Sequence, residues 1–139
     1  MTAPVKKSAA PCVTESGLKR LLVIDDDPSV LFALKRLFNS ALVTVDTCDS
    51  LKNAKERIDS NHYNLILTDL GFSEEIKDAG IEISIYAKSK HPGIKIILWT
   101  GAEHASLEQK ARAADVDFVF KKPLSPRIIK SIMENLYFM

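Results

Sequence analysis

The amino-acid sequence predicts an α/β fold with a doubly wound parallel sheet, and two observations support this prediction. Short, continuous apolar runs such as "LLVID" at residues 21–25 and "LILTD" at 65–69 are typical of strands buried on both faces. Segments with helical periodicity separate these runs, so that strand and helix alternate five times. Repeated strand–helix units form parallel sheets covered by helices on both faces and joined by right-handed crossovers.

Five strands are predicted in all. Besides the two runs above, they are "LVTVDT" at 42–47, "IKIILWT" at 94–100 and "DFVF" at 117–120. The run at 42–47 differs from the others because it alternates apolar and polar residues. Alternation is expected of a strand with one exposed side, so we place this strand at an edge of the sheet.

Apolar residues spaced by three or four positions predict four of the five helices. The predicted stripes are Val30, Leu31, Leu34, Leu37 and Phe38; Leu51, Ala54 and Ile58; Leu107, Ala111 and Ala114; and Ile128, Ile129, Ile132, Met133 and Leu136.

The remaining segment, "GIEISIYAKSK" at 80–90, has an ambiguous pattern. Ile81, Ile83 and Ile85 recur with period two, which by itself favours a strand. Two neighbouring parallel strands, however, need a crossover of about a dozen residues, usually a helix. We therefore predict a helix here.

Length and composition indicate one soluble domain. The chain has 139 residues, a net charge of +1 and 46% apolar residues, and so lacks the basic balance expected of a nucleic-acid-binding domain. No apolar run approaches the ~20 residues that a membrane span needs, and no signal peptide is recognisable. Cys12 and Cys48 have no metal-ligand spacing and are expected to be free thiols. A cytoplasmic location is therefore predicted.

The chain is expected to divide into a flexible tail at residues 1–18, rich in Pro, Ala, Ser and Lys, and a domain at 19–136. Residues 134–139 allow two interpretations. "ENLYF" matches the start of a protease site used in expression tags, but Leu136 also continues the apolar period of a native helix.

Charged and hydroxyl side chains follow four of the predicted strands. Asp25 and Asp26 end the first strand, Asp69 the third and Thr100 the fourth, and Lys121-Lys122 follow the fifth. Ligands of open α/β sheets bind beyond the carboxyl ends of the strands. Clustered carboxylates with one lysine require a counter-charge, which a hard divalent cation such as Mg²⁺ would supply.

In kind, order and spacing these residues resemble those of the receiver domain of bacterial two-component response regulators. The matching features are the acidic pair Asp25-Asp26, a single acid at Asp69, Thr100 in "WTGA" and Lys122 before a proline. The resemblance covers roughly residues 19–135 and implies a flavodoxin-like (βα)5 sandwich with strand order 2-1-3-4-5. Of the two neighbouring lysines, the family pattern favours Lys122.

The resemblance implies a phosphoacceptor chemistry. Asp69 would take a phosphoryl group from the phosphohistidine of a sensor histidine kinase or a phosphotransfer protein. Lys122 would pair with Asp69 and then with a phosphoryl oxygen, and the Thr100 hydroxyl would contact another. Such transfer depends mainly on positioning and charge neutralisation. The domain would then act as a signalling switch and not as an enzyme.

The resemblance also implies a site for Mg²⁺ or Mn²⁺. Asp26 and Asp69 would bind the cation directly with help from Asp25, and the backbone carbonyl of Gly71 would complete the ligands. Asp27, followed by Pro28, instead has the pattern of a helix N-cap. Further expected partners are an output domain or effector protein and, on phosphorylation, a second copy of the domain. Neither nucleic acid nor membrane is expected to bind directly.

Two departures from the family pattern leave alternatives open. Ser73 replaces the usual proline four residues after the nucleophile, and Val119 replaces a common aromatic residue three before the lysine. A degenerate receiver that acts only as a protein-binding module is therefore a second interpretation. A third is a haloacid-dehalogenase-type phosphatase with Asp25 as nucleophile, since Asp27 follows in an Asp-x-Asp pattern; the acidic pair that such enzymes need beyond the lysine is missing.

Overall fold

Strands and helices alternate throughout the part of the chain that the computed structural model describes. This part comprises residues 19–73, 75–101, 106–122 and 125–138, without the side chains of 126, 132, 133 and 136–138. The predicted tail at 1–18 and residue 139 lie outside it. The elements are β1 (Lys19–Ile24), α1 (Pro28–Phe38), β2 (Val43–Cys48), α2 (Leu51–Ser60), β3 (Leu65–Asp69), α3 (Ala79–Lys90), β4 (Lys95–Thr100), α4 (Leu107–Ala113), β5 (Phe118–Lys121) and α5 (Pro126–Phe138).

The five strands form one parallel sheet in the order β2-β1-β3-β4-β5, which confirms the predicted fold class and strand order. The alternating strand β2 lies at an edge, as its pattern predicted. In the sheet, Ile24 pairs with Thr68, and Asp69 pairs with Trp99. The carboxyl ends of β1, β3 and β4 are therefore nearly level.

The side chains of the central strands alternate between two apolar clusters. Leu21 and Val23 of β1 pack with Leu34 and Phe38 of α1 and with Ile129 of α5. On the other face of the sheet, residues of β1, β3 and β4 pack against α2 and α3. These strand residues are Leu22, Ile24, Ile66 and Ile96. Helices thus cover both faces, as a doubly wound sheet requires.

Residues Ala79–Lys90 form helix α3. This confirms the helix predicted from the length of the crossover and excludes the strand that the period-two pattern favoured. Its side towards the sheet is formed by Gly80, Ile83, Ser84 and Ala87, whereas the side chain of Ile85 is 54% exposed. Ser84 is buried without loss of hydrogen bonding because its hydroxyl donates to the carbonyl of Gly80 at 2.7 Å. Because three of these core-facing residues are small, the positions of the large apolar residues alone do not show the helical period.

Two residues of the predicted apolar stripes are not in the core. The side chains of Leu37 and Ile128 are 45% and 47% exposed, while their neighbours Phe38 and Ile129 are buried. Adjacent residues of an α-helix differ by about 100° in direction, so only one of each pair can face the sheet. The rest of the α5 stripe, Ile132, Met133 and Leu136, lies outside the described side chains.

Cys48 lies at the end of β2 and forms no disulfide within the described residues. Burial raises the pKa of its thiol to about 12, so the sulfur is an unreactive part of the core. Cys12 falls in the undescribed tail. Across the described ranges, no helix is long and apolar enough to cross a membrane.

Candidate functional site

Three carboxylates meet at the carboxyl edge of the sheet. One oxygen from each of Asp25, Asp26 and Asp69 lies within 4.8 Å of the others. Asp25 and Asp69 are only 1% and 9% exposed, whereas Asp26 is exposed. The pairing of Ile24 with Thr68 explains this juxtaposition, because the residue after each of them is one of the two buried aspartates.

The third aspartate of the "DDD" run has a structural role. The Asp27 carboxylate accepts hydrogen bonds from the backbone N–H of Ser29 at 2.9 Å and from its hydroxyl at 2.6 Å. Asp27 is thus the N-cap of α1, with Pro28 at the first helical position, which confirms the prediction. Its own N–H donates to Asp25 at 3.0 Å, so the cap also orients Asp25.

Lys122 joins the two buried carboxylates. Its ammonium nitrogen lies 3.1 Å from Asp25 Oδ2 and 3.1 Å from Asp69 Oδ1. The backbone N–H of Lys122 donates to the carbonyl of Thr100 at 2.7 Å, which anchors the residue just beyond β5. The family pattern predicts Lys122 rather than Lys121 at this position, and of its two contacts it predicts only the one with Asp69. The bond to Asp25 was missed because the two residues are 97 positions apart.

Burial and ion pairing have opposite effects on the pKa values of Asp69 and Lys122. Burial raises the pKa of Asp69, and the nearby charge of Asp25 adds to this, while the bond to Lys122 opposes it. Burial alone would lower the pKa of Lys122, but its bonds to Asp69 and Asp25 outweigh burial and leave that pKa raised. Lys122 therefore stays cationic, and its ammonium is shared by two of the three carboxylates.

This donor set suits a hard divalent cation. Three carboxylate oxygens converge, the ammonium of Lys122 contacts two of these carboxylates, and Asp26 is exposed to solvent. Oxygen donors and uncompensated negative charge are what Mg²⁺ and Mn²⁺ require. The residues present therefore fit the cation that the sequence predicts.

Thr100 and Gly71 lie at the same edge of the sheet. Thr100 ends β4, one residue beyond the Trp99 that pairs with Asp69, and is 8% exposed. The backbone N–H of Gly71 is close enough to the Asp69 carboxylate to oppose the rise in its pKa. The structure thus brings Asp25, Asp26, Asp69 and Lys122 into one cluster, with Thr100 at the end of the strand next to Asp69 and Gly71 two residues after it. Residues 102–105, which follow Thr100, lie outside the described chain.

Gly80, at the start of α3, was not recognised from the sequence as part of this region. Its N–H donates to the carbonyl of Leu70 at 2.8 Å. A Cβ at this position would lie 2.6 Å from the carbonyl oxygen of Asp69 and 2.9 Å from Leu70 Cα. A glycine inside a helical segment was the available signal, since it can indicate close backbone approach.

A parallel sheet of order 2-1-3-4-5 with an acidic cluster and a lysine at its carboxyl edge defines a receiver-type signalling domain. Residues 21–134 match the family model described as "Response regulator receiver domain". The chain belongs to this family.

Individual relatives agree with this assignment. The chain is 36% identical over 90 residues to the transcriptional regulatory protein ComA of Bacillus subtilis, a match that covers 62% of this chain and 41% of ComA. It is 28% identical over 119 residues to the response regulator receiver protein CpdR of Brucella abortus, which covers 86% of this chain and 97% of CpdR. The chain therefore spans less than half of ComA but nearly all of CpdR.

A solved structure shows the same fold. The CheY-like receiver domain protein of Methanospirillum hungatei superimposes with a TM-score of 0.76 at 27% identity. The superposition covers 86% of this chain and 94% of that one.

Proposed function

We propose that this domain accepts a phosphoryl group on Asp69 from the phosphohistidine of a sensor histidine kinase or phosphotransfer protein. The observation that supports this most directly is the position of the Asp69 carboxylate, beside Asp25 and Asp26 and 3.1 Å from the ammonium of Lys122. Phosphoryl transfer to a carboxylate requires an accessible carboxylate beside groups that neutralise the charge of the phosphoryl oxygens. The edge of this sheet offers both.

In the proposed reaction an oxygen of the Asp69 carboxylate attacks phosphorus. The bond from phosphorus to the donor imidazole nitrogen breaks, its electron pair stays on that nitrogen, and an acyl phosphate forms on Asp69. Lys122 moves its hydrogen bond from Asp69 to a phosphoryl oxygen, and the Thr100 hydroxyl contacts another. Asp25, Asp26, Asp69 and the Gly71 carbonyl would hold Mg²⁺ or Mn²⁺. When bound, that cation supplies positive charge against the phosphoryl oxygens.

The contacts of Asp25 argue against a phosphatase in which Asp25 is the nucleophile. One of its oxygens accepts from the N–H of Asp27, the other accepts from Lys122, and the residue is 1% exposed. Asp69 is more accessible, and its carboxylate adjoins the exposed Asp26. The intact acidic cluster likewise gives no support to a degenerate receiver that only binds proteins.

Acetyl phosphate with Mg²⁺ is expected to add one phosphoryl group to the protein, on Asp69. Intact-mass and peptide mass spectrometry would measure the adduct in the wild type and in Asp69→Ala. The variant should take up no phosphoryl group, and chelation of the cation should abolish the reaction in the wild type. An adduct on Asp25, or one that persists in Asp69→Ala, would contradict the proposal, and a wild type that is never modified would favour the degenerate receiver.

The Asp26 and Asp27 carboxylates should differ in their effect on metal affinity. We expect Asp26→Asn to weaken Mg²⁺ binding about tenfold or more, since the cation loses a charged oxygen ligand. Asp27→Asn should leave the affinity within about twofold, because Asn also caps helices well. Titration of Mg²⁺ followed by the fluorescence of Trp99 would compare the two variants. Equal losses of affinity would contradict the separate roles given to these neighbours.

The signal would pass from this domain to an output domain or an effector protein, or to a second copy of the domain. ComA is a transcriptional regulatory protein of which this chain spans 41%. A beryllofluoride-activated receiver domain of NtrC4, which shares the fold with a TM-score of 0.74 at 23% identity, is a dimer. These relatives support the proposed partner classes without identifying one.

A further inference from the structure

The ammonium of Lys122 has a third neighbour besides its two carboxylates. Its nitrogen lies 4.8 Å from the centre of the Trp99 ring, a distance at which an aromatic face attracts a cation. An ammonium group has three N–H donors, and the bonds to Asp25 and Asp69 account for two of them. The indole attracts the ammonium in addition to the two carboxylates, and the three contacts together favour one position of the ammonium.

The register of the sheet explains why Trp99 lies beside Lys122. Trp99 pairs with Phe120 of β5, and side chains two positions apart along a strand share a face. Lys122 follows just past the end of β5, and its ammonium reaches the ring of Trp99. Trp99 itself is 6% exposed and packed within the cluster on the α1 and α5 face of the sheet, which fixes the orientation of its ring.

Tryptophan is the side chain best suited to this contact. A leucine or phenylalanine would contribute apolar surface here, but leucine has no aromatic face and the face of phenylalanine attracts a cation less strongly than that of tryptophan. Trp99 thus combines a core position with an attraction for the ammonium of Lys122.

We propose that Trp99 is a positioning residue for Lys122. Its ring holds the ammonium over the acidic cluster, so that Lys122 is already beside Asp69 when a phosphoryl group arrives. The inference rests on the proposed function, since it assigns Trp99 an effect on the rate at which Asp69 is phosphorylated. Trp99 acts through Lys122 and contacts no reacting atom.

Fluorinated tryptophan tests this role with little change in the volume of the side chain. The chain contains one tryptophan, so growth on 5-fluoro-, difluoro- or tetrafluorotryptophan alters Trp99 alone. Each fluorine withdraws electron density from the ring face and weakens its attraction for the ammonium. We expect the rate of Asp69 phosphorylation by acetyl phosphate and Mg²⁺ to fall stepwise, by about fivefold in total for the tetrafluoro form. A purely structural role predicts no such trend.

The same series in Lys122→Met provides the control, because without the ammonium the residual rate should no longer depend on fluorination. A rate that is constant across the series in the wild-type background, or one that falls equally in Lys122→Met, would overturn the proposal.

An NMR measurement separates this inference from the proposed function. Ring currents of Trp99 should shift the ε-methylene protons of Lys122 upfield in the unphosphorylated protein, and Trp99→Leu should remove the shift. Phosphorylation on Asp69 without the shift would overturn the role of Trp99 and leave the proposed function intact. The shift in a protein that takes no phosphoryl group would reject the proposed function, and with it any role of Trp99 in transfer.

Discussion

Replacement of Gly80 by alanine is expected to lower the free energy of unfolding by about 2 kcal/mol or more, the range found for overpacked sites. In most helices the same change stabilises, because alanine has the higher helix propensity. At Gly80 the added Cβ would lie 2.6 Å from the Asp69 carbonyl oxygen and 2.9 Å from Leu70 Cα. Both are backbone atoms, so the end of β3 or the start of α3 must move.

Gly93→Ala is the matched control for this prediction. Gly93 lies in the turn between α3 and β4, and a Cβ there would meet nothing within 4 Å. We expect its substitution to change stability by no more than about 0.5 kcal/mol. Urea unfolding of both variants, followed by circular dichroism, gives the comparison. Similar stabilities would show that the approach of α3 to β3 is not a tight constraint. Since the displaced backbone carries Asp69, Gly80→Ala should also slow phosphorylation.

The fold class and the order of elements could be predicted from the sequence, because four strands are short apolar runs, the fifth alternates as an edge strand does, and each crossover has helical length, whereas the strand order followed from the family resemblance. Even α3 followed from this topological requirement, although its isoleucines have the period of a strand. The burial of individual residues was harder to predict. Leu37 and Ile128 are apolar and adjacent to core positions, yet they are exposed, since the width of the buried stripe depends on how closely each helix approaches the sheet.

The site could be predicted to the extent that it depends on strand ends. Asp25, Asp69 and Thr100 each end a strand or follow it directly, and the carboxyl ends of parallel strands meet at one edge. Contacts that depend on register and rotamer could not be predicted. Two contacts of Lys122 are of this kind: its bond to Asp25 and its position over the ring of Trp99. They join side chains at the ends of three strands, and no local sequence pattern determines how those side chains are placed relative to one another.

Lys122→Met is expected to slow the phosphorylation of Asp69 by roughly a hundredfold, the order of magnitude lost when one preorganised donor to a developing charge is removed. Methionine keeps much of the length and apolar contact of the lysine stem but has no charge. Lys121→Met is the matched control. Lys121 is the last residue of β5 and its side chain is exposed, so its loss should change the rate by no more than about twofold.

Magnesium affinity distinguishes a chemical effect of Lys122→Met from damage to the fold. In the wild type the Lys122 ammonium lies 3.1 Å from a carboxylate oxygen of both Asp25 and Asp69. Without it the two carboxylates repel each other, and an added Mg²⁺ no longer competes with a positive charge already at the site. The variant should therefore bind Mg²⁺ more tightly than the wild type while it is phosphorylated far more slowly. A misfolded site would lose both properties together. If Lys122→Met instead reacts as fast as Lys121→Met, the lysine that serves the phosphoryl group is not Lys122.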